Sequence, residues 1–252
     1  MKFIDINCDV GEMPGAIADG SQEALMPYIT SVNIACGGHA GNAQMMRATI
    51  EQALRHKLSI GAHPGYEDPT NFGRVELQLS LQEIAASVER QIQALQSIAA
   101  ECGAFLHHVK AHGALYNQAA RDRQIARAIA EGVRRASPNA ILVGLAGSVM
   151  LDEFRAAGFS AAAEAFADRR YEPDGTLRSR KFADALLCDP EHAAAQALRI
   201  VQDSTVIAAD STCIPLHADT LCLHGDTPGA RQIAACIHRS LTEAGMAIRP
   251  LS

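Results

Sequence analysis

Seven short apolar runs recur along the chain, most of them ending in a polar cluster and most followed by a longer Ala-rich amphipathic stretch. The runs are KFIDIN (2–7), SVNIAC (31–36), LSIGAH (58–63), FLHHVK (105–110), AILVGL (140–145), FSAAAEAF (159–166) and TLCLHG (220–225). Their length and the turn residues around them predict strands. The stretches between them predict helices over 43–56, 81–102, 119–136, 149–157, 191–202 and 230–244. Pro190 and Pro228 stand where a first helical turn begins, a position that suits a fixed φ and a missing donor. Strands that alternate with helices need crossover connections, so the sheet they build is parallel. Seven such runs predict an α/β fold, a seven-stranded β/α barrel forming a single domain over 1–252. A doubly wound open sheet is the alternative. Residues 171–183 form a polar insertion with Gly175 and three basic residues, read as a hairpin or lid.

Composition narrows the function. The 252 residues carry a net charge of −6, which leaves no basic surplus for nucleic acid. No run approaches the roughly 18 apolar residues of a membrane span, and MKFIDINCDVGE lacks the apolar centre of a signal peptide. The expected location is cytoplasmic. Seven scattered cysteines include no C-x-x-C pair, so a structural zinc is not expected. Cys8 and Cys36, beside polar motifs, are candidate wall residues of a site.

The polar clusters begin where apolar runs end. Asn7, Asp9 and Glu12 follow the first run, Gly37, Gly38 and His39 the second, His63 to Gly65 the third. Lys110, His112 and Tyr116 follow the fourth, Asp168, Arg169 and Arg170 the sixth, His224 to Asp226 the last. In a parallel barrel all these strand ends reach one rim, where active sites sit. Alternation places Asp5, Asn7 and Asp9 on one face, and facing carboxylates can bind a cation or act as acid and base. His63 precedes a proline, which holds it extended, and Arg74 can clamp a carboxylate or phosphate. Alternation also sends His108 and Lys110 to one face, leaving one of His107 and His108 packed against helices as a core histidine. Lys110 can stabilise a developing oxyanion, and His112 can move a proton near neutrality. Asn42 suits an N-cap, and Asp226 a cap before the last helix. H-E-x-x-H, G-x-S-x-G and G-x-G-x-x-G are absent, which favours acid–base or cation-assisted chemistry over acyl transfer by Ser or Cys.

DINCDVGE, SVNIACGGHAGN, IGAHPGY…FGR, VKAHGALYN, EAFADRRY and LHGDTP, in this order, resemble the LamB/YcsF family over roughly residues 5–245. The resemblance implies a fold similar to the glycoside hydrolase/deacetylase β/α barrel. The chain departs from the family pattern at Gly38 (usually Phe), Asn42 (usually Asp), Val75 (usually Arg) and Ala111 (usually Pro). Gly38 is expected to open space beside His39. The implied activity is that of a 5-oxoprolinase, the ATP-dependent opening of the lactam 5-oxo-L-proline (pyroglutamate) to L-glutamate. ATP with Mg is the implied cofactor set, a metal bound to this chain is left open, and subunits B and C are the implied partners. The catalytic set carried over is Asp9, Glu12, His39, His63, Lys110 and His112. Within it Lys110, with Arg74, would face phosphoryl oxygens, Asp9 or Glu12 would activate water, and His63 or His112 would protonate the leaving nitrogen. Asn7, Arg74, Tyr116, Asp168, Arg169, His224 and Asp226 are the expected substrate- and phosphate-binding groups. Two alternatives use the same residues: a metal-dependent N-deacetylase with Asp9, His39 and His63 as ligands, or a non-catalytic substrate-binding protein.

Overall fold

The structure is a computed structural model that describes residues 3–252, so Lys2 of the first predicted run lies outside the described residues. All seven predicted runs contain strands. In chain order the elements are β1 (Phe3–Val10), α1 (Pro14–Ala18), β2 (Ser31–Ala35), α2 (Ala43–Arg55), β3 (Ser59–His63), α3 (Leu81–Glu101) and β4 (His108–Lys110). There follow α4 (Gly113–Ala119), α5 (Arg123–Ala136), β5 (Ile141–Leu145), α6 (Val149–Ala156), β6 (Ala161–Phe166) and α7 (Pro190–Asp203). The last elements are β7 (Thr205–Ile207), β8 (Cys213–Pro215), β9 (Thr220–His224), α8 (Ala230–Glu243) and β10 (Ala247–Ile248). Strands β1 to β6 and β9 pair in that order, and β9 pairs back onto β1, which closes a parallel barrel of seven strands. The open-sheet alternative is thereby overturned.

Alternation along β1 explains how a barrel with so many charges holds together. Asp5, Asn7 and Asp9 face the interior, where Asp5 accepts from the hydroxyls of Thr30, Ser31 and Thr220. Ile4, Ile6, Cys8 and Val10 take the opposite face and join the buried apolar layer beneath the helices. Burial in such a layer stabilises by about 25 cal/mol per Å², and apolar side chains from every barrel strand contribute to it.

Caps fix the helix starts. Asn42 accepts from the Met45 N–H, Asp122 from Gln124 and Ile125, and Ser80 forms a reciprocal capping box with Glu83. The helix predicted over 119–136 starts later, at Arg123, where Asp122 caps α5, and the unpredicted α4 precedes it and ends at Ala119. Pro190 opens α7 as expected, whereas Pro228 precedes the start of α8 at Ala230. The fourth run is shorter than predicted: His107 is exposed beside Phe105, and His108 faces the barrel interior, so neither packs against helices. The 171–183 insertion is a loose hairpin, with Tyr171 bridged to Leu177. The antiparallel β7–β8 pair and the β10 pairing with β1 were not predicted. Among the described residues no helix is long and apolar enough to cross a membrane.

Candidate active site

The carboxyl ends of the strands bring Asp9, His63, Lys110 and His112 to one place, with Glu12 and His39 supplied by the loops after β1 and β2. Two groups of side chains meet at Asp9. On one side Lys110 Nζ lies 2.9 Å from Asp9 Oδ1, 2.9 Å from Glu164 Oε1 and 3.0 Å from Cys222 Sγ. Glu164 also accepts from Tyr116 Oη at 2.7 Å and from Asn7 Nδ2 at 3.0 Å. Asn33 Nδ2 donates to Asp9 Oδ1 at 2.8 Å, and His108 donates to Asn33 Oδ1 at 2.8 Å beneath the site. His108 is thus a satisfied core histidine, and burial pushes its pKa down to about 3.

Burial alone would lower the Lys110 pKa. Asp9, Cys222 and Glu164 outweigh it and hold the ammonium well above the ordinary lysine range. Burial also pushes the Cys222 thiol up, so it meets Lys110 as a neutral, weak acceptor. Two N–H groups of Lys110 are anchored on carboxylates, and the third faces the Cys222 thiol at 3.0 Å and the Asn7 amide oxygen at 3.4 Å, contacts weak enough for a substrate carbonyl oxygen to displace. Asp9 stays charged: burial raises its pKa, but His63 and Lys110 bring it well below the usual carboxylate range.

On the other side of Asp9 lie three imidazoles. His63 Nδ1 is 2.8 Å from the Lys110 carbonyl, His112 Nε2 is 2.9 Å from the Phe72 carbonyl, and His63 Nε2 is 3.0 Å from His112 Nδ1. His39 stacks on His112 with centroids 3.6 Å apart, and its Nε2 lies 3.0 Å from Glu12 Oε1. Burial, then His39 and His63, hold His112 well below the usual imidazole range. Burial also lowers His63, but Asp9 reverses the balance and its pKa is raised.

Both groups open into a cavity of about 760 Å³ whose walls include Tyr116, Phe166 and His224 and whose lining carries Arg74, Arg121, Arg169, Arg180 and Lys181. A smaller cavity of about 260 Å³ adjoins it, sharing Asp9, Glu12 and Asp226. Arg74 is half-exposed and bound to Asp226 at 2.7 Å, and Arg180 reaches the same carboxylate at 3.1 Å. Asp168 does not line either cavity. It is fully buried and holds the His224 backbone N–H, the His224 ring and the Thr227 hydroxyl, so it positions the last loop. Arg169 donates to the Arg178 carbonyl, and burial followed by Arg180 pushes its pKa down to about 10.

Several expectations need correction. Gly38 opens no space beside His39, because the Gln91 amide fills it, donating to the Gly65 carbonyl and accepting from the Gly65 N–H. Asn42, by contrast, caps α2 as expected, at the surface and outside the site. Cys8 and Cys36 both belong to the buried apolar cluster and line neither cavity, so they are not wall residues of the site. Glu164 and Cys222 join Lys110 although neither was among the expected site residues. Alternation back from Thr220 and His224 would have pointed Cys222 inward.

Fold and site define a parallel β/α-barrel protein with its acid–base groups gathered at the carboxyl ends of the strands, the arrangement of barrel enzymes. Residues 4–252 match the model of the LamB/YcsF family, and the chain belongs to it. It is 50% identical over 249 residues to the 5-oxoprolinase A subunit of Chloroflexus aggregans, covering 99% of each chain. It is 48% identical over 246 residues to that of Bordetella pertussis, covering 98% of each. The crystal structure of the lactam utilization protein from Thermus thermophilus superposes over the full length of both chains with a TM-score of 0.91 at 41% identity. A family 4 carbohydrate esterase from Streptomyces lividans shares the fold alone, with a TM-score of 0.51 at 9% identity over 100% of this chain and 93% of the other.

Proposed function

We propose that this chain is the A subunit of a 5-oxoprolinase and takes part in the hydrolytic opening of 5-oxo-L-proline to L-glutamate. Its full-length relatives carry that name, and a structure that superposes on it is that of a lactam utilization protein. The observation that carries the chemistry is the ammonium of Lys110, buried between Asp9 and Glu164 at the base of the cavity with one donor left on a thiol.

A five-membered lactam is a stable amide, and hydrolysis needs its carbonyl made electrophilic. Lys110 is placed to take the carbonyl oxygen in exchange for Cys222, where an ammonium out of water stabilises developing negative charge strongly. Asp9 stands between that ammonium and the imidazoles, as a base for the attacking water. The imidazoles are placed to hold that water, drawn from solvent in the cavity, beside Asp9 and to pass a proton to the leaving nitrogen. Coupling to ATP gives the reaction its driving force. Phosphoryl transfer to the amide oxygen activates the carbon, one water adds and the ring nitrogen leaves protonated. A second water then hydrolyses the resulting acyl phosphate, releasing phosphate and L-glutamate. The five cationic side chains along the cavity suit the phosphates of ATP. We further propose that subunits B and C complete the enzyme.

The test mixes the three subunits with ATP and 5-oxo-L-proline and follows ADP and glutamate together. Lactam-dependent release of both is expected, and Lys110→Met is expected to reduce it by more than about a hundredfold. Undiminished turnover with a folded Lys110→Met chain would overturn the assignment. Lactam binding by the chain, without any effect of its own residues on turnover, would favour a pure binding role.

A further inference from the structure

We propose that Glu12, His63 and His112 form a three-ligand site for a divalent ion of the zinc type, with its open coordination position facing the cavity. The placement of the ring hydrogens decides which lone pairs are free. A backbone carbonyl only accepts, so His63 carries its proton on Nδ1, against the Lys110 carbonyl, and His112 carries its proton on Nε2, against the Phe72 carbonyl. With both rings neutral, as metal binding requires, the nitrogens left over, His63 Nε2 and His112 Nδ1, face one another with lone pairs at 3.0 Å. Glu12 Oε1 points at the same spot, 3.3 Å from His112 Nδ1 and 3.9 Å from His63 Nε2. Three acceptors aimed at one point repel unless something positive sits among them.

Size and charge choose a cation over a proton. An ion holding N and O ligands tetrahedrally at about 2.0–2.1 Å separates them by about 3.3–3.4 Å. The three separations here, 3.0, 3.3 and 3.9 Å, bracket that edge. A shared proton would satisfy the two nitrogens, and His39 Nε2 donates to Glu12 Oε1, but that oxygen keeps a second lone pair toward the two nitrogens. Lys110 balances one of the two carboxylates it meets, Asp9 and Glu164, while Glu12 meets three imidazoles, which leaves two negative charges in a largely buried setting when those rings are neutral. A divalent ion neutralises both, and one proton neutralises only half.

The neighbouring groups take different roles. His39 Nδ1 is buried without a partner, so no group fixes its ring as the carbonyls fix the other two, and its Nε2 instead donates to Glu12. Asp9 Oδ2 lies 3.3 Å from His63 Nε2, beside the proposed site, where it can take a proton from ion-bound water. Asp9, Cys222 and His224 also converge, but Lys110 Nζ already stands 2.9 Å from Asp9 Oδ1 and 3.0 Å from Cys222 Sγ, filling the place of a cation.

The test titrates Co²⁺ into the chelator-treated full chain, following its visible absorption, with Zn²⁺ in competition. One equivalent of Co²⁺ is expected to bind with the intense absorption of a four- or five-coordinate ion and to be displaced by Zn²⁺. Glu12→Gln, His63→Gln and His112→Gln are each expected to weaken binding by more than about a hundredfold, and His39→Gln by about tenfold. Circular dichroism checks that each variant is folded, and Glu12→Gln keeps the shape of its side chain. Absence of binding to the wild type, or equal binding by folded Glu12→Gln and His112→Gln variants, would overturn the proposal. The readout needs no turnover, so a failed lactam assay and a failed ion titration are separate results.

Discussion

Replacing Lys110 by Met removes the one ammonium that stands between two buried carboxylates, and the loss can be worked out from its partners. Asp9 and Glu164 each lie 2.9 Å from Nζ, and neither is exposed to water. Breaking one buried ion pair by deleting a partner destabilises by about 3–5 kcal/mol, since the remaining charge is left uncompensated. Lys110→Met strands two carboxylates, so it belongs at or above the upper end of that range. That is a large share of the roughly 5–15 kcal/mol by which a domain is stable. Glu164→Gln is milder: Lys110 keeps Asp9, and the loss is confined to one charge and one of the hydrogen bonds from Tyr116 and Asn7. In the double variant only Asp9 is left uncompensated, so its loss is expected to be about 1–3 kcal/mol smaller than the sum of the two single losses. Urea unfolding followed by far-ultraviolet circular dichroism measures all four free energies. Additivity within about 0.5 kcal/mol would refute the reasoning, because it would mean that the three charges do not share one dry network.

Three further outcomes follow from separate parts of the site. Gly38→Ala places a Cβ about 2.3 Å from Gln91 Oε1 and forces that amide off both bonds to Gly65. A loss of about 1–3 kcal/mol is expected from thermal unfolding, much of it absent when Gln91 is already Ala, and an equal loss in both backgrounds would refute the contact. Arg74→Ala removes a guanidinium that is 41% exposed, so stability is expected to change by less than about 0.5 kcal/mol while KM rises, and an unchanged KM would exclude Arg74 from binding. Burial raises the Asp168 pKa, but His224 and the bonds from His224 and Thr227 outweigh it and hold the carboxyl below its ordinary value. A depressed folded pKa gives stability that is present above the unfolded value of about 3.9 and fades as pH falls toward the folded one. The stability gap between wild type and Asp168→Asn is therefore expected to be full near neutral pH and to shrink in acid, and a gap independent of pH would refute the charge pairing.

How far the sequence foretold this site depends on which physical rule set each feature. Period-two alternation put Asp5, Asn7 and Asp9 on the interior face of β1, because a strand has only two faces and the apolar one must meet the helices. Parallel pairing then carried Asp9, His63 and Lys110 to one rim, since every parallel strand ends on the same side. Partnership across the barrel obeys neither rule. Lys110 meets Glu164 and Cys222 because the staggered register sets Lys110 beside Val143, Leu145 beside Glu164, and Glu164 beside Thr220, two residues before Cys222. No local pattern encodes that stagger. The Gln91 amide in the space at Gly38 likewise depends on how α3 packs over the barrel. Least legible of all was the imidazole geometry. Sequence reasoning gave Asp9, His39 and His63 as ligands only for the deacetylase alternative, and the site proposed from the structure takes His63 and His112 with Glu12 instead. What turns those two rings is a pair of backbone carbonyls, at Lys110 and Phe72, and every residue has such a group. A side-chain motif can therefore nominate the imidazoles but cannot say which nitrogen of each is free, and that choice decides whether the cluster holds a proton or a metal ion.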